Sequence, residues 1–221
     1  MFESRFECGN LSLVSKVTEC EYNLLLQNDI NTNGYSQWFF FKVSNTLGGE
    51  RVKFNILNQY KQNNLYKMGM KIVVYSKKES EEKNISWHRC GENIQYYENG
   101  YSRSSTEYRP YFTLTWEYVF PHSDDEVYFA YSYPYTFSNL ENFFSKIESD
   151  AHMRTICQRN PLCKTLAGNT VDVLTITENH QCKNVLRQLW RSTRATSSSL
   201  PEYTPGSRFL HTSPTASLSS C

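Results

Sequence analysis

The sequence is poor in the residues that would mark a fibrous or low-complexity chain. Nine Gly and seven Pro among 221 residues are too few for a collagen-like repeat or a flexible linker protein. No run approaches the roughly 18–20 apolar residues that a membrane span requires, and the mean hydropathy is −0.61. An excess of one charge sign is also missing. Lys plus Arg (23) nearly balances Asp plus Glu (22), for a formal charge of +1. Such a balance exerts no global pull on nucleic acid or anionic lipid, so neither is expected as a partner. The opening Met1-Phe-Glu-Ser-Arg-Phe-Glu-Cys8 lacks the apolar core of a secretory signal, which predicts a cytoplasmic protein. Seven scattered cysteines, odd in number, are then expected as free thiols rather than a disulfide framework. In that compartment the sequons at Asn10 and Asn84 would not meet the glycosylation machinery.

Aromatic residues are abundant. Sixteen Tyr and 13 Phe supply the large side chains a core needs and argue against a disordered chain. From Met1 to Tyr133 the chain reads as short strands. Glu21–Leu26, Gln37–Val43, Val52–Leu57 and Lys71–Tyr75 are apolar or alternating and rich in β-branched and aromatic residues. Trp87–Arg89, Ile94–Tyr97, Tyr111–Phe120 and Glu126–Tyr131 bring the count to about eight. In Tyr111–Phe120, residues Phe112, Leu114, Trp116, Tyr118 and Phe120 share one face. Turn formers separate the strands: Asn31 to Gly34, Gly48-Gly49, Asn99-Gly100 and Ser123 to Asp125. The spacing predicts an antiparallel β-sandwich, a mostly β fold. Pro134 should stop the last strand, because it cannot donate to a ladder and restricts Tyr133.

The pattern changes over residues 134–179. Ser138, with Glu141 three residues on, is expected to cap a helix running through Ile147. Leu140, Phe143, Phe144 and Ile147 give it one apolar stripe. Leu162–Leu166 and Val171–Thr177, joined across Gly168, then read as strand, turn, strand. This is the opening of an α/β unit left incomplete. Residues 180–221, rich in Ser, Thr and Arg and without apolar periodicity, read as a disordered tail.

No catalytic residue can be named from these patterns. The five histidines show no zinc-ligand spacing, and His180 and Cys182 with Cys157 and Cys163 form only a loose cluster. Asp124-Asp125-Glu126 reads first as a solvated turn whose carboxylate caps backbone N–H groups, and second as an acid/base or Ca2+ cluster. Arg103 and Arg109 flank a polar loop and are expected to be solvated. No nucleophile elbow, P-loop or dinucleotide fingerprint occurs. Exposed aromatics on the sandwich leave open a carbohydrate or peptide platform, although such residues more often build the core.

Several segments, in order, carry a family resemblance. They are Phe2-Glu-Ser-Arg-Phe-Glu-Cys-Gly-Asn-Leu11, Asp29 to Val43 with its Trp38-Phe-Phe-Phe41, Tyr66-Lys-Met-Gly-Met70, Tyr128 to Phe137, Leu162 to Asn169, and Leu174-Thr-Ile-Thr177. Together they resemble the cytosolic carboxypeptidases, and the Leu166-Ala-Gly-Asn-Thr-Val171 form is similar to the second and third vertebrate members. The resemblance implies a β-sandwich N-terminal domain over residues 1–133 and the truncated start of a zinc carboxypeptidase domain over 134–179. It also implies that intact relatives trim glutamates from tubulin and other polyglutamylated or acidic-tailed proteins, and an association with microtubules or cilia.

The sequence departs from the family where the metal chemistry begins. The resemblance implies a His-Pro-Gly-Glu motif after the Leu174–Thr177 strand, supplying two zinc ligands, with a third ligand and a general base far downstream. This chain has no His-Pro-Gly-Glu. The expected cofactor set of the chain as written is therefore none, with zinc confined to intact relatives, and its expected catalytic and metal-binding residues are none. Codons for Ser199-Leu-Pro-Glu-Tyr-Thr-Pro-Gly-Ser-Arg208 can be chosen so that a one-base shift reads Thr-Ala-Arg-Val-His-Pro-Gly-Glu-Ser. The expectation is that residues from somewhere within 180–195 onward are an out-of-frame reading of the zinc-motif exon. With the rest of an α/β sheet missing, Leu174 and Ile176 are expected to be exposed or repacked, with aggregation or rapid turnover as the consequence.

Overall fold

The computed structural model describes residues 1–177 apart from Asn33, Arg103 and Ser105. The tail reading over 180–221 lies outside the described residues. The chain divides into two compact units, residues 1–142 and a second beginning at residue 143.

The first unit is a sandwich of two five-stranded sheets. Its strands are β1 (Phe2–Glu3), β2 (Leu11–Thr18), β3 (Glu21–Leu26), β4 (Phe40–Ser44) and β5 (Arg51–Gln59). A 3-10 turn (Leu65–Met68) leads to β6 (Ile72–Ser76), helix α1 (Lys77–Lys83), β7 (His88–Cys90), β8 (Glu92–Ser102), β9 (Pro110–Val119) and β10 (Glu126–Ala130). One sheet runs β1-β4-β10-β6-β7 and the other β2-β3-β5-β9-β8. The ladders are antiparallel except for β3 and β5, which pair in parallel. The exception follows from the path. After β3 the chain crosses to the opposite sheet as β4 and returns as β5 pointing the same way, whereas an antiparallel neighbour would need a hairpin.

The core forms where the apolar faces of the two sheets meet. The five alternating residues expected on β9 and just beyond it, Phe112 to Phe120, are all buried there. Trp116 lies 5.2 Å from Phe54 between ring centroids. Phe129 lies 5.2 Å from Phe54 and 5.5 Å from Phe41. Fully burying one such side chain stabilises by roughly 1.5–3 kcal/mol relative to leaving it in water. A smaller apolar layer covers the outer face of the first sheet, where Phe40, Val73 and Ala130 are packed by Phe6, Trp38, Trp87 and Tyr128.

Three local expectations need correction. Asn99-Gly100 is not a turn. It lies within β8, where the register against β9 shifts between Glu98 and Ser102. The Asn99 amide holds this bulge by donating to the Leu57 carbonyl at 2.7 Å and to Thr113 Oγ1 at 2.9 Å. The helix beyond Pro134, α2 (Phe137–Ser149), starts earlier than a Ser138 cap allows. Thr136 Oγ1 accepts the Asn139 N–H at 3.2 Å, while the Ser138 N–H donates to Glu7 Oε1 at 2.9 Å. The strand expected over Gln37–Val43 begins only at Phe40. Ahead of it, the Trp38 carbonyl and the Phe40 N–H are both taken by the Asn10 amide.

The second unit takes up the end of α2, the single turn α3 (Met153–Ile156), and an antiparallel hairpin of β11 (Cys157–Lys164) and β12 (Thr170–Ile176). The expected strand-turn-strand is present, with β11 starting five residues earlier than the sequence suggested. Pro161 is tolerated because the ladder bulges between Pro161 and Cys163.

Candidate functional site

The two described members of the loose cysteine cluster, Cys157 and Cys163, do not come together. Cys157 and Cys163 are the two ends of one stretch of β11, which at strand rise sets them about 20 Å apart. Cys157 is buried and Cys163 exposed. His180 and Cys182 lie outside the described residues. No group of three or more His, Cys, Asp or Glu among the described residues is arranged to hold a metal ion. The described residues therefore supply no ligand set of the kind a carboxypeptidase zinc site needs.

The acidic turn is a structural device with an unexpected burial. Asp125 is 1% exposed, so the solvated reading is corrected, but its carboxylate does cap backbone. It accepts from the Ser76 hydroxyl at 2.5 Å and from the Lys78 N–H at 3.1 Å. Ser76 is itself the N-cap of α1, accepting the Glu79 N–H at 3.1 Å. Burying the carboxylate is affordable because these donors replace water. Neighbouring Glu126 is held by Lys42 Nζ at 2.7 Å, and this hydrogen bond draws its carboxyl below the ordinary range. Arg109 is exposed and pairs with Glu107 at 2.7 Å. Arg103 lies outside the described residues.

The sequence did not signal two other arrangements. In the second unit, Arg159 Nη2 meets Asp172 Oδ2 at 2.6 Å across the hairpin, and its guanidinium lies 4.2 Å from the Phe144 ring centroid. With the Asp172 side chain only 5% exposed, this pair ties the end of α2 to β11 and β12. Only the i-to-j register of the hairpin brings Arg159 and Asp172 together, so no local spacing could have shown them. At one end of the sandwich, Gln37 Nε2 donates to the Tyr131 hydroxyl at 2.7 Å, and the Tyr96 hydroxyl donates to the Lys61 carbonyl. Burial pushes the Tyr96 phenol up to about 12 and raises that of Tyr66. Phenols held neutral in this way can hydrogen-bond and pack.

Comparisons with known proteins place this architecture. The family model for the cytosolic carboxypeptidase N-terminal domain matches residues 2–132. Cytosolic carboxypeptidase 3 of Mus musculus is 46% identical over 177 residues, 80% of this chain and 17% of that relative. Cytosolic carboxypeptidase 2 of Homo sapiens is 40% identical over 181 residues, 82% of this chain and 20% of that relative. The chain thus spans about a fifth of the length of these relatives. In the fold alone, it is similar to the crystal structure of a metallo-carboxypeptidase from Burkholderia cenocepacia. The TM-score is 0.58 at 17% sequence identity, covering 82% of this chain and 40% of that one. The sandwich with the segment that follows it belongs to the cytosolic carboxypeptidase family, with residues 2–132 as its N-terminal domain.

Proposed function

We propose that the sandwich is the folding and docking module of a cytoplasmic zinc metallocarboxypeptidase that removes C-terminal or side-chain glutamates from tubulin and other acidic-tailed proteins. In this proposal the 221-residue chain as written is catalytically inactive, and any role it has lies in residues 1–133. The observation that carries the reading is the pairing of a family match over residues 2–132 with described residues that assemble no ligand set. Three converging ligands and an open coordination position are what zinc hydrolysis requires. The test is to supply the chain with zinc and polyglutamylated tubulin and assay released glutamate. No release above the zinc-only control is expected. Release that a chelator abolishes would overturn the proposal.

A second reading is favoured by the Pro205-Gly206 codon register and by the 17% coverage of the relative. Here the functional product restores the His-Pro-Gly-Glu frame and is an active enzyme. Sequencing the transcript across the codons for Thr177 to Cys221 decides between the two. A message that joins the His-Pro-Gly-Glu frame to the codons around residue 179 establishes the second reading. A message carrying the written frame removes it.

A further inference from the structure

Residues 51–78 contain seven Lys or Arg and no Asp or Glu. The sandwich neutralises only part of this run. Arg51, Lys53 and Lys77 each lie within 4.0 Å of a carboxylate, and Lys78 donates to the Ser123 carbonyl. Lys61, Lys67 and Lys71 have no carboxylate partner among the described residues, and neither does Arg89 on β7. All four are exposed.

They gather around the 3-10 turn Leu65–Met68. Its Asn64 cap and left-handed Gly69 (φ 91°) fold the chain back so that Lys71 follows at once. Arg89 Nη1 donates to the Lys71 carbonyl at 2.6 Å and its guanidinium lies 5.9 Å from the Tyr133 ring centroid. Lys67 Nζ sits 5.7 Å from the Tyr96 ring and 5.5 Å from Phe112. Tyr96 reaches the Lys61 carbonyl through its hydroxyl, which places the backbone of Lys61 beside Lys67. The groove next to the turn is lined by Tyr66, Met70, Lys71 and Ile94. It also contains Glu92, whose carboxylate is already taken by Arg51 at 2.5 Å. Leu65 and Met68 stand out of the same turn, 55% and 81% exposed.

We infer that this end of the sandwich, formed by Lys61, Lys67, Lys71 and Arg89 around Leu65 and Met68, docks a glutamate-rich peptide segment of the substrate protein. The inference rests on the docking role proposed above and assigns it a site. Four unneutralised cations on one patch attract carboxylates, and their ring contacts hold Lys67 and Arg89 in place at the surface. A polypeptide fits better than a nucleic acid. Leu65 and Met68 offer apolar contacts to side chains, three of the four cations are lysines rather than phosphate-gripping Arg forks, and the chain has no net basic excess.

The test uses the 221-residue chain and a fluorescent ten-residue polyglutamate peptide, read by anisotropy at low and moderate salt. Binding that weakens with salt is expected for the unaltered chain. The triple variant Lys61→Gln, Lys67→Gln, Lys71→Gln should weaken it about tenfold, or about 1.4 kcal/mol. Lys77→Gln with Lys78→Gln, away from the turn, should leave it unchanged, and Lys67→Arg should retain it. A matching circular dichroism melt controls for folding. Equal weakening by both sets of variants, or none by the triple, removes the assigned site while the docking role stands. No binding by the unaltered chain removes both. Tighter binding of a ten-nucleotide RNA than of the peptide overturns the choice of partner.

Discussion

The two units differ in how completely they close over their apolar residues. In the sandwich, Leu24, Phe39, Phe41, Phe54, Leu114, Trp116 and Phe129 have no exposed surface. In the second unit the described buried residues are Phe144 and Cys157, while Leu166 and Ile176 are 88% and 73% exposed. Both segments carry apolar residues at regular spacing. The difference lies in the number of layers. A sheet buries one face only against another layer, and the sandwich supplies its own second sheet. The hairpin β11-β12 is a two-stranded sheet, and such a ribbon is at best marginal alone. The end of α2 covers part of it, through Phe144 on Arg159.

The comparison can be broken at Trp116 first. Replacing Trp116→Ala in the sandwich core should cost roughly 3–5 kcal/mol, read as a lower urea midpoint. The corresponding Ile176→Ala on the hairpin should stay within about 0.5 kcal/mol. Comparable costs would mean that both units share one cooperative core. A smaller effect is expected at Asp125→Ala. It strands the Ser76 hydroxyl and the Lys78 N–H, for a cost of about 1–3 kcal/mol. Ser76→Ala together with Asp125→Ala should cost less than the two separate changes added, because the partners are lost together. The last effect sharpens the contrast through pH. Burial raises the Tyr96 phenol from the ordinary 10.0 to about 12, and those of Tyr66 and Tyr118 also rise. A raised folded value favours the neutral phenol, so its contribution is intact below about pH 10 and fades as pH climbs toward 12. The melting temperature of the sandwich should fall over that window. Tyr96→Phe should make the fall shallower, and an unchanged slope would show that Tyr96 titrates as it does in the unfolded chain.

Much of the sandwich was legible because its inner faces obey period two. Tyr111–Phe120 alternates cleanly, and each of its inward residues is buried. Edge elements were not legible for the converse reason. Strand β2 is exposed at six of its eight positions, so no alternation marks it. Helix α1, Lys-Lys-Glu-Ser-Glu-Glu-Lys, has no buried residue and is defined by its Ser76 and Asn84 caps. At the candidate sites, residue types were readable but neighbours were not. Asp125 was recognisable as a capping residue, yet its burial depends on Ser76, 49 positions away.

By itself the sequence determined the family, through motifs such as Trp38-Phe-Phe-Phe41, and the strand-rich class, through local periodicity that acts within a few residues. It also determined that every charged residue within 51–78 is Lys or Arg. Tertiary structure decided which charges in that run are neutralised and which remain available. It alone brought β3 beside β5 in parallel, Arg159 onto Asp172, and Lys67 over Tyr96. The reason is physical. Propensity and periodicity are set by near neighbours along the chain, whereas electrostatic pairing and burial fall off over a few ångströms of space, and only the fold converts sequence separation into such distances.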